Sequence, residues 1–135
     1  MLQFTKEVDY GIQFIFALSS LKKEELLSLR NFSKDTKISF LFLQRIAKKL
    51  REAGLVESTK GACGGYRLAI DYKNITVKEI VEALEGEYAV ANCLKSNCGC
   101  KCDHADTCCS KKVFKAVNDK LKKYLKELKL SDIIN

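Results

Sequence analysis

Six of the chain's seven cysteines stand in one short stretch, "NCLKSNCGCKCDHADTCC", at residues 92–109. Cys93, Cys98, Cys100, Cys102, Cys108 and Cys109 are separated by four, one, one, five and no intervening residues. Thiolates are soft ligands, suited to zinc, copper(I) or iron–sulfur clusters. A zinc knuckle pairs its thiols as C-x2-C hooks, and this stretch has none. The irregular spacing is closer to a loop wrapped around a larger inorganic core. Left without metal, so many thiols in one loop would be an oxidation liability. His104, the chain's one histidine, lies among them. A lone loop histidine is more often solvated than ligating, although imidazole is a common metal ligand.

Thiol chemistry depends on where the chain works. The N-terminus, "MLQFTKEVDY", lacks the basic start and continuous apolar run of a secretory signal. No window approaches the roughly 18 apolar residues that span a bilayer. The expected location is cytoplasmic, with no membrane partner, where clustered cysteines serve metal binding or redox switching more than disulfide stapling. A total of seven also leaves one thiol unpaired in any complete internal pairing.

The 135 residues suffice for one domain with a real core, or a domain and an appendage. Lys and Arg number 24 against 17 Asp and Glu, a net charge of +7. That sign favours a polyanionic partner, nucleic acid before an anionic membrane surface.

The elements that must carry the loop follow from periodicity. In "VDYGIQFIFALSSL", Val8, Ile12, Ile15 and Phe16 mark a buried helix stripe. Phe14, Leu18 and Leu21 mark a second face, so both sides are expected to pack. Ser28 is placed to cap a short helix that ends near the polar "SKDTK" turn. In the next helix Leu43, Ile46, Ala47 and Leu50 form the inner stripe, and Gly54 ends it. "LVES", "TKGACGG" and "YRLAI" read as strand, turn and strand. Thr76 and Glu79 make a capping box ahead of a stripe at Val77, Ile80, Val81 and Leu84, closed by Gly86. After the cysteines, Phe114, Val117, Leu121, Tyr124 and Leu128 alternate steps of three and four, a heptad seam expected to need a partner subunit.

A short helix, a turn, a second helix with a basic outer face and a hairpin outline a winged helix-turn-helix. The expected class is mainly α with a small β-hairpin and a long C-terminal dimerisation helix. The outer face carries Gln44, Arg45, Lys48 and Arg51. Such faces are usually just solvated, but here motif and net charge agree on double-stranded DNA. Arg pairs bidentately with guanine and Gln with adenine, so Arg45 and Gln44 are placed to read base edges. Lys48, Lys60 and Arg67 suit phosphate contacts, and Ser39 and Tyr66 complete the candidate set. Gly61, Gly64 and Gly65 exceed what a hairpin turn needs, and would let the wing backbone lie close to the sugar–phosphate surface. Cys63 in this turn reads as a small turn residue. No paired histidine, nucleophile elbow or phosphate loop supports an enzyme.

"ISFLFLQRIAKKLREAGLVESTKGACGGYRLA" resembles the winged-helix segment of the IscR/NsrR family of bacterial iron–sulfur transcription regulators. The shared pattern runs through Leu50, Gly54, Leu55 and Val56, then Lys60 to Ala69. "TKEVDYGIQFIFAL" is similar to the family's first helix and "LKLSDIIN" to its closing segment, so the likeness spans nearly the whole chain. The resemblance implies a [2Fe–2S] or [4Fe–4S] cluster held by three cysteines, here Cys93, Cys102 and Cys108. Its fourth ligand in IscR-like members is a histidine, where this chain has Lys111. In some NsrR-like members it is an aspartate from the other subunit's first helix, and Asp9 occupies that place. Cys98, Cys100 and Cys109 are additional thiols that leave other trios, or four cysteine ligands, open. Lys60 replaces the family's wing arginine, while Leu41 and Phe42 replace a common Ser-Tyr.

The expected protein is a homodimeric regulator divided into a DNA-binding region at 1–86, a cluster loop at 87–109 and a dimerisation helix and tail at 110–135. It would sense iron–sulfur status, nitric oxide or redox state. The same fold with a cluster-free, thiol-redox or zinc-binding loop is the alternative.

Overall fold

In the computed structural model, residues 3–96 and 107–134 are described. Helix α1 spans Lys6–Ser19, capped by Thr5, whose hydroxyl accepts the Val8 N–H. Helix α2 spans Leu29–Thr36, with Ser28 as the expected cap, and α3 spans Phe40–Glu52. Strands β1 (Val56–Thr59) and β2 (Gly65–Leu68) form an antiparallel hairpin that pairs Val56 with Leu68 and Glu57 with Arg67. Helix α4 spans Val77–Glu85, α5 Cys109–Glu127 and α6 Leu130–Ile133. Mainly α with one hairpin wing is the architecture the periodicity called for.

One core serves all of it. Leu43, Ile46, Ala47 and Leu50 of α3 are fully buried, as their spacing requires. They meet Val8, Phe14, Ile15 and Leu18 of α1 and Val77, Ile80, Val81 and Leu84 of α4. The capping box at Thr76 and Glu79 is formed in both directions. Gly54 sits just past α3 at φ 79°, a conformation costly for a residue with a Cβ.

Two expectations are corrected. Phe16 is 44% exposed, because the stripe of α1 runs through Val8, Gly11, Ile15 and Leu18 instead. Gly11 belongs to it by having no side chain: a Cβ there would collide with the Leu84 side chain of α4. Secondly, "SKDT" is not a turn; it is the last turn of α2, and the chain reverses at residues 37–39. The wing glycines also have a reason within the fold. Gly61 has φ 118°, a Cβ on Gly64 would strike the Thr59 carbonyl, and one on Gly65 would lie 2.6 Å from the Leu27 carbonyl oxygen. Leu27 and Tyr66 exchange two backbone hydrogen bonds of 2.9 Å, an isolated bridge that moors the wing to the segment before α2.

The C-terminal segment is stitched to the same core. The Leu128 carbonyl accepts the Val77 N–H at 3.0 Å, and the Leu130 N–H donates to the Ile75 carbonyl at 3.2 Å. Leu125 and Leu130 are buried. Leu121 and Leu128 also pack against this core, so the expected heptad seam divides. They face inward, whereas Phe114, Val117 and Tyr124 remain exposed.

Because Ile46 is fully buried where α1, α3 and α4 converge, Ile46→Ala is expected to cost about 2–5 kcal/mol. Urea unfolding of the variant beside the parent chain measures it.

Candidate nucleic-acid interface and thiol loop

The turn between α2 and α3 is held by short-range bonds. Ser33 donates its hydroxyl to the Ile38 carbonyl at 2.6 Å, and Thr36 donates to the Phe32 carbonyl at 2.6 Å. Lys37 adopts the left-handed conformation at φ 61°, and Ile38 plugs the core. Ser39 starts α3 with no capping bond from its side chain, so its exposed hydroxyl is available to an outside partner.

With its inner stripe buried, α3 presents Leu41, Gln44 and Lys48 as an exposed ridge. Arg51 also lies outside and donates to the Ser58 hydroxyl at 3.3 Å, tying the helix to the wing. Arg45 stands on the flank nearest α1. Its Nε lies 3.0 Å from Glu7 Oε1, and its guanidinium carbon 4.8 Å from the Phe42 ring centroid. The other carboxylate oxygen of Glu7 receives Lys49 Nζ at 2.9 Å. Neither Glu7 nor Phe42 stood among the sequence-derived site residues. The available signal was the pair Arg45 and Lys49, two cations four residues apart on one helix flank and in need of a shared counter-ion.

On the wing, Lys60 is exposed at the turn. Arg67 is paired across the hairpin with Glu57, on the outward face. An exposed pair of this kind contributes about 0–1 kcal/mol, so it yields readily to a phosphate. Tyr66 turns the other way, its ring 5.8 Å from Phe14 in an edge-to-face contact.

Of the candidate ligands, Cys98, Cys100, Cys102 and His104 lie outside the described residues. Cys93 sits half-buried in a single 3-10 turn, Asn92–Leu94, that packs against α5. Cys108 is the N-cap of α5, its Sγ accepting the Lys111 N–H at 3.4 Å. Cys109 is exposed in the first turn, as is Cys63 on the wing. Among the described residues no three His, Cys, Asp or Glu side chains form a metal site. Asp9 is on the surface of α1, accepting from the Gln13 amide at 2.9 Å and paired with Lys6 at 3.6 Å.

Two anchors hold the near end of the loop. Buried Asn118 of α5 accepts the Val90 N–H at 3.0 Å. Glu87 accepts the Ser96 backbone N–H and hydroxyl, each at 3.0 Å. Those two bonds hold its carboxyl below the usual carboxylate range, with Lys122 and Lys95 adding to the effect. The anchor is therefore complete above the ordinary carboxylate pKa and is lost only as pH falls through the lowered value.

The short helix, tight reversal, exposed ridge and moored wing define a winged-helix DNA-binding transcription regulator. The chain belongs to the Rrf2 family: residues 4–135 match the family described as an iron-dependent transcriptional regulator. It is 46% identical over 69 residues to the regulator IscR of Cereibacter sphaeroides, a match covering 51% of this chain and 44% of that one. Among solved structures it is similar to T. potens IscR, with 30% identity, TM-score 0.73, and coverage of 98% and 86% of the two chains. It is also similar to CymR, the global cysteine regulator of B. subtilis, with 27% identity, TM-score 0.74, and coverage of 98% and 96%. These relatives are regulators rather than enzymes, which agrees with the lack of catalytic motifs in the sequence. No helix of the described residues is long and apolar enough to cross a membrane.

Asn118→Ala would leave the Val90 N–H without its partner at a half-buried position. The expected cost is about 1–3 kcal/mol in urea unfolding, with faster exchange of the Val90 amide.

Proposed function

We propose that this transcription regulator acts as a homodimer on a double-stranded operator, and that its 93–108 loop holds an iron–sulfur cluster whose presence sets operator affinity. The observation that carries the reading is the apolar ridge of α5 that begins just past Cys108. Val113, Phe114, Val117 and Tyr124 are between 43% and 61% exposed, a contiguous surface that a second copy of the helix would cover. The ridge and Cys108 share one helix, so ordering the loop and pairing the subunits are mechanically linked. Residues 1–86 would then bind DNA, 87–109 the cluster, and 110–135 carry the dimer contacts together with the tail.

The donor set fits such a group. Cys93 and Cys108 come from two elements in contact, and Cys108 stands at the N-terminal end of a 19-residue helix, where an anionic ligand atom is favoured. Cys93, Cys102 and Cys108 would hold the cluster, [2Fe–2S] or [4Fe–4S], with Asp9 contributed across the dimer. Cys98, Cys100, Cys109 and His104 are the alternates. When bound, the cluster supplies a redox-active core that reacts with nitric oxide or oxygen. Cys93 and Cys108 then brace the 3-10 turn against the start of α5, fixing the separation of the two α3 helices. Releasing that brace shifts operator affinity by about 1–3 kcal/mol. On DNA, Gln44 and Arg45 read base edges. Ser39, Lys48, Lys60 and Arg67 meet phosphates, and Tyr66 seats the wing. The likeness to CymR favours one second reading, a cluster-free loop that senses thiol oxidation.

Protein purified without oxygen is expected to be brown, with bound iron and acid-labile sulfide, and Cys108→Ala to lose most of that absorbance. Colourless protein that stays iron-free after reconstitution would transfer the loop to thiol or zinc chemistry. Val117→Asp should sediment as a monomer and bind the operator roughly tenfold or more weakly, since each half-site would then bind alone. A variant that remains a dimer would remove this face from the interface.

A further inference from the structure

We propose that Glu7 is a specificity-determining residue that positions the Arg45 guanidinium for guanine. The inference rests on the assignment of Arg45 as a base reader and adds what holds it in place. A guanidinium recognises guanine best through two parallel N–H donors aimed at O6 and N7. On a free arginine side chain, that alignment must be paid for in rotamer entropy when the complex forms.

Here the side chain is held beforehand from two directions. Glu7 Oε1 lies 3.0 Å from Nε as an ion pair, so the carboxylate engages the inner nitrogen rather than the terminal pair. The guanidinium also lies over Phe42, whose ring is itself fixed at 5.6 Å and 89° against Tyr10. Arg45 is still 56% exposed at its side chain, so the fork is reachable. Glu7 is only 17% exposed and does not depend on Arg45 for its own position. Its second oxygen binds Lys49 Nζ at 2.9 Å, and Lys49 also donates to the Leu84 carbonyl at 3.1 Å. Glu7 is thus locked by α3 and α4 before Arg45 is considered.

The position on α3 supports the role. Arg45 lies in the N-terminal half of the second helix of the motif, the part that meets base edges in helix-turn-helix complexes. A carboxylate near DNA would ordinarily repel it, but here two cations enclose the single negative charge. The carboxylate therefore acts through the direction it imposes on Arg45, as a positioning residue.

The test is selection of binding sites from randomised duplex DNA by the full-length parent chain, Glu7→Gln, Arg45→Ala and Lys49→Met, with thermal melts confirming that each variant is folded. The parent should select guanine at one position of each half-site. Arg45→Ala should lose that preference and keep the others. Glu7→Gln, nearly isosteric, should weaken the same preference by at least about fivefold while binding random DNA as well as the parent. Lys49→Met removes the cation that fixes Glu7 but not the Glu7–Arg45 ion pair itself, so it should weaken the preference less than Glu7→Gln does. Full guanine preference in Glu7→Gln, alongside its loss in Arg45→Ala, would overturn the role of Glu7 and leave Arg45 as an unaided reader. An unchanged Arg45→Ala would overturn both. Equal blurring by Lys49→Met would reduce Glu7 to a packing contact between α1 and α3.

Discussion

What α3 shows to solvent is determined by what it hides. Leu43, Ile46, Ala47 and Leu50 are fully buried between α1 and α4, and with that stripe fixed the helix has a single rotational setting. Leu41, Gln44 and Lys48 then face outward, Arg45 falls toward α1, and Arg51 toward the wing. A rotation of one residue about the helix axis would draw Lys48 or Lys49 into the core, at a desolvation cost no phosphate contact offsets. Which side chains the helix turns outward is a consequence of apolar packing, and only the aim of an individual side chain such as Arg45 calls for more.

That dependence explains why α3 and α4 were legible in the sequence. Both have strong periodic stripes, and both carry local punctuation, Gly54 for one and the capping box at Thr76 and Glu79 for the other. The buried stripe of α1 is less legible, because hydrophobicity alone ranks Phe16 above Gly11. The close approach of Gly11 to Leu84 is a tertiary fact, with no trace in the local pattern. The seam of α5 was read as one stripe when it is two. Inward Leu121 and Leu128 satisfy the chain's own core, while outward Phe114, Val117 and Tyr124 do not.

The candidate site divides along the same line. Exposure of Gln44, Lys48 and Lys60 follows from helix phase and a hairpin turn, both local properties. Pairing of Arg67 with Glu57 follows from strand register and was within reach once the hairpin was drawn. Contact between Glu7 and Arg45 joins separate helices and needed the packed structure. The thiols are recognisable by type and density, yet spacing does not select ligands among six, because a loop has no period to phase them.

The joining of residues 128–130 to residues 75–77 has a consequence for how the chain is made. The Val77 N–H and the Ile75 carbonyl, at the threshold of α4, find partners in Leu128 and Leu130. On the ribosome the winged-helix segment emerges long before them, so α4 must wait with an open edge and an uncovered floor. Closure of this part of the domain therefore follows synthesis of the thiol-bearing stretch that lies between the two segments. The order of translation thus makes residues 128–130 the latch of a segment made before them.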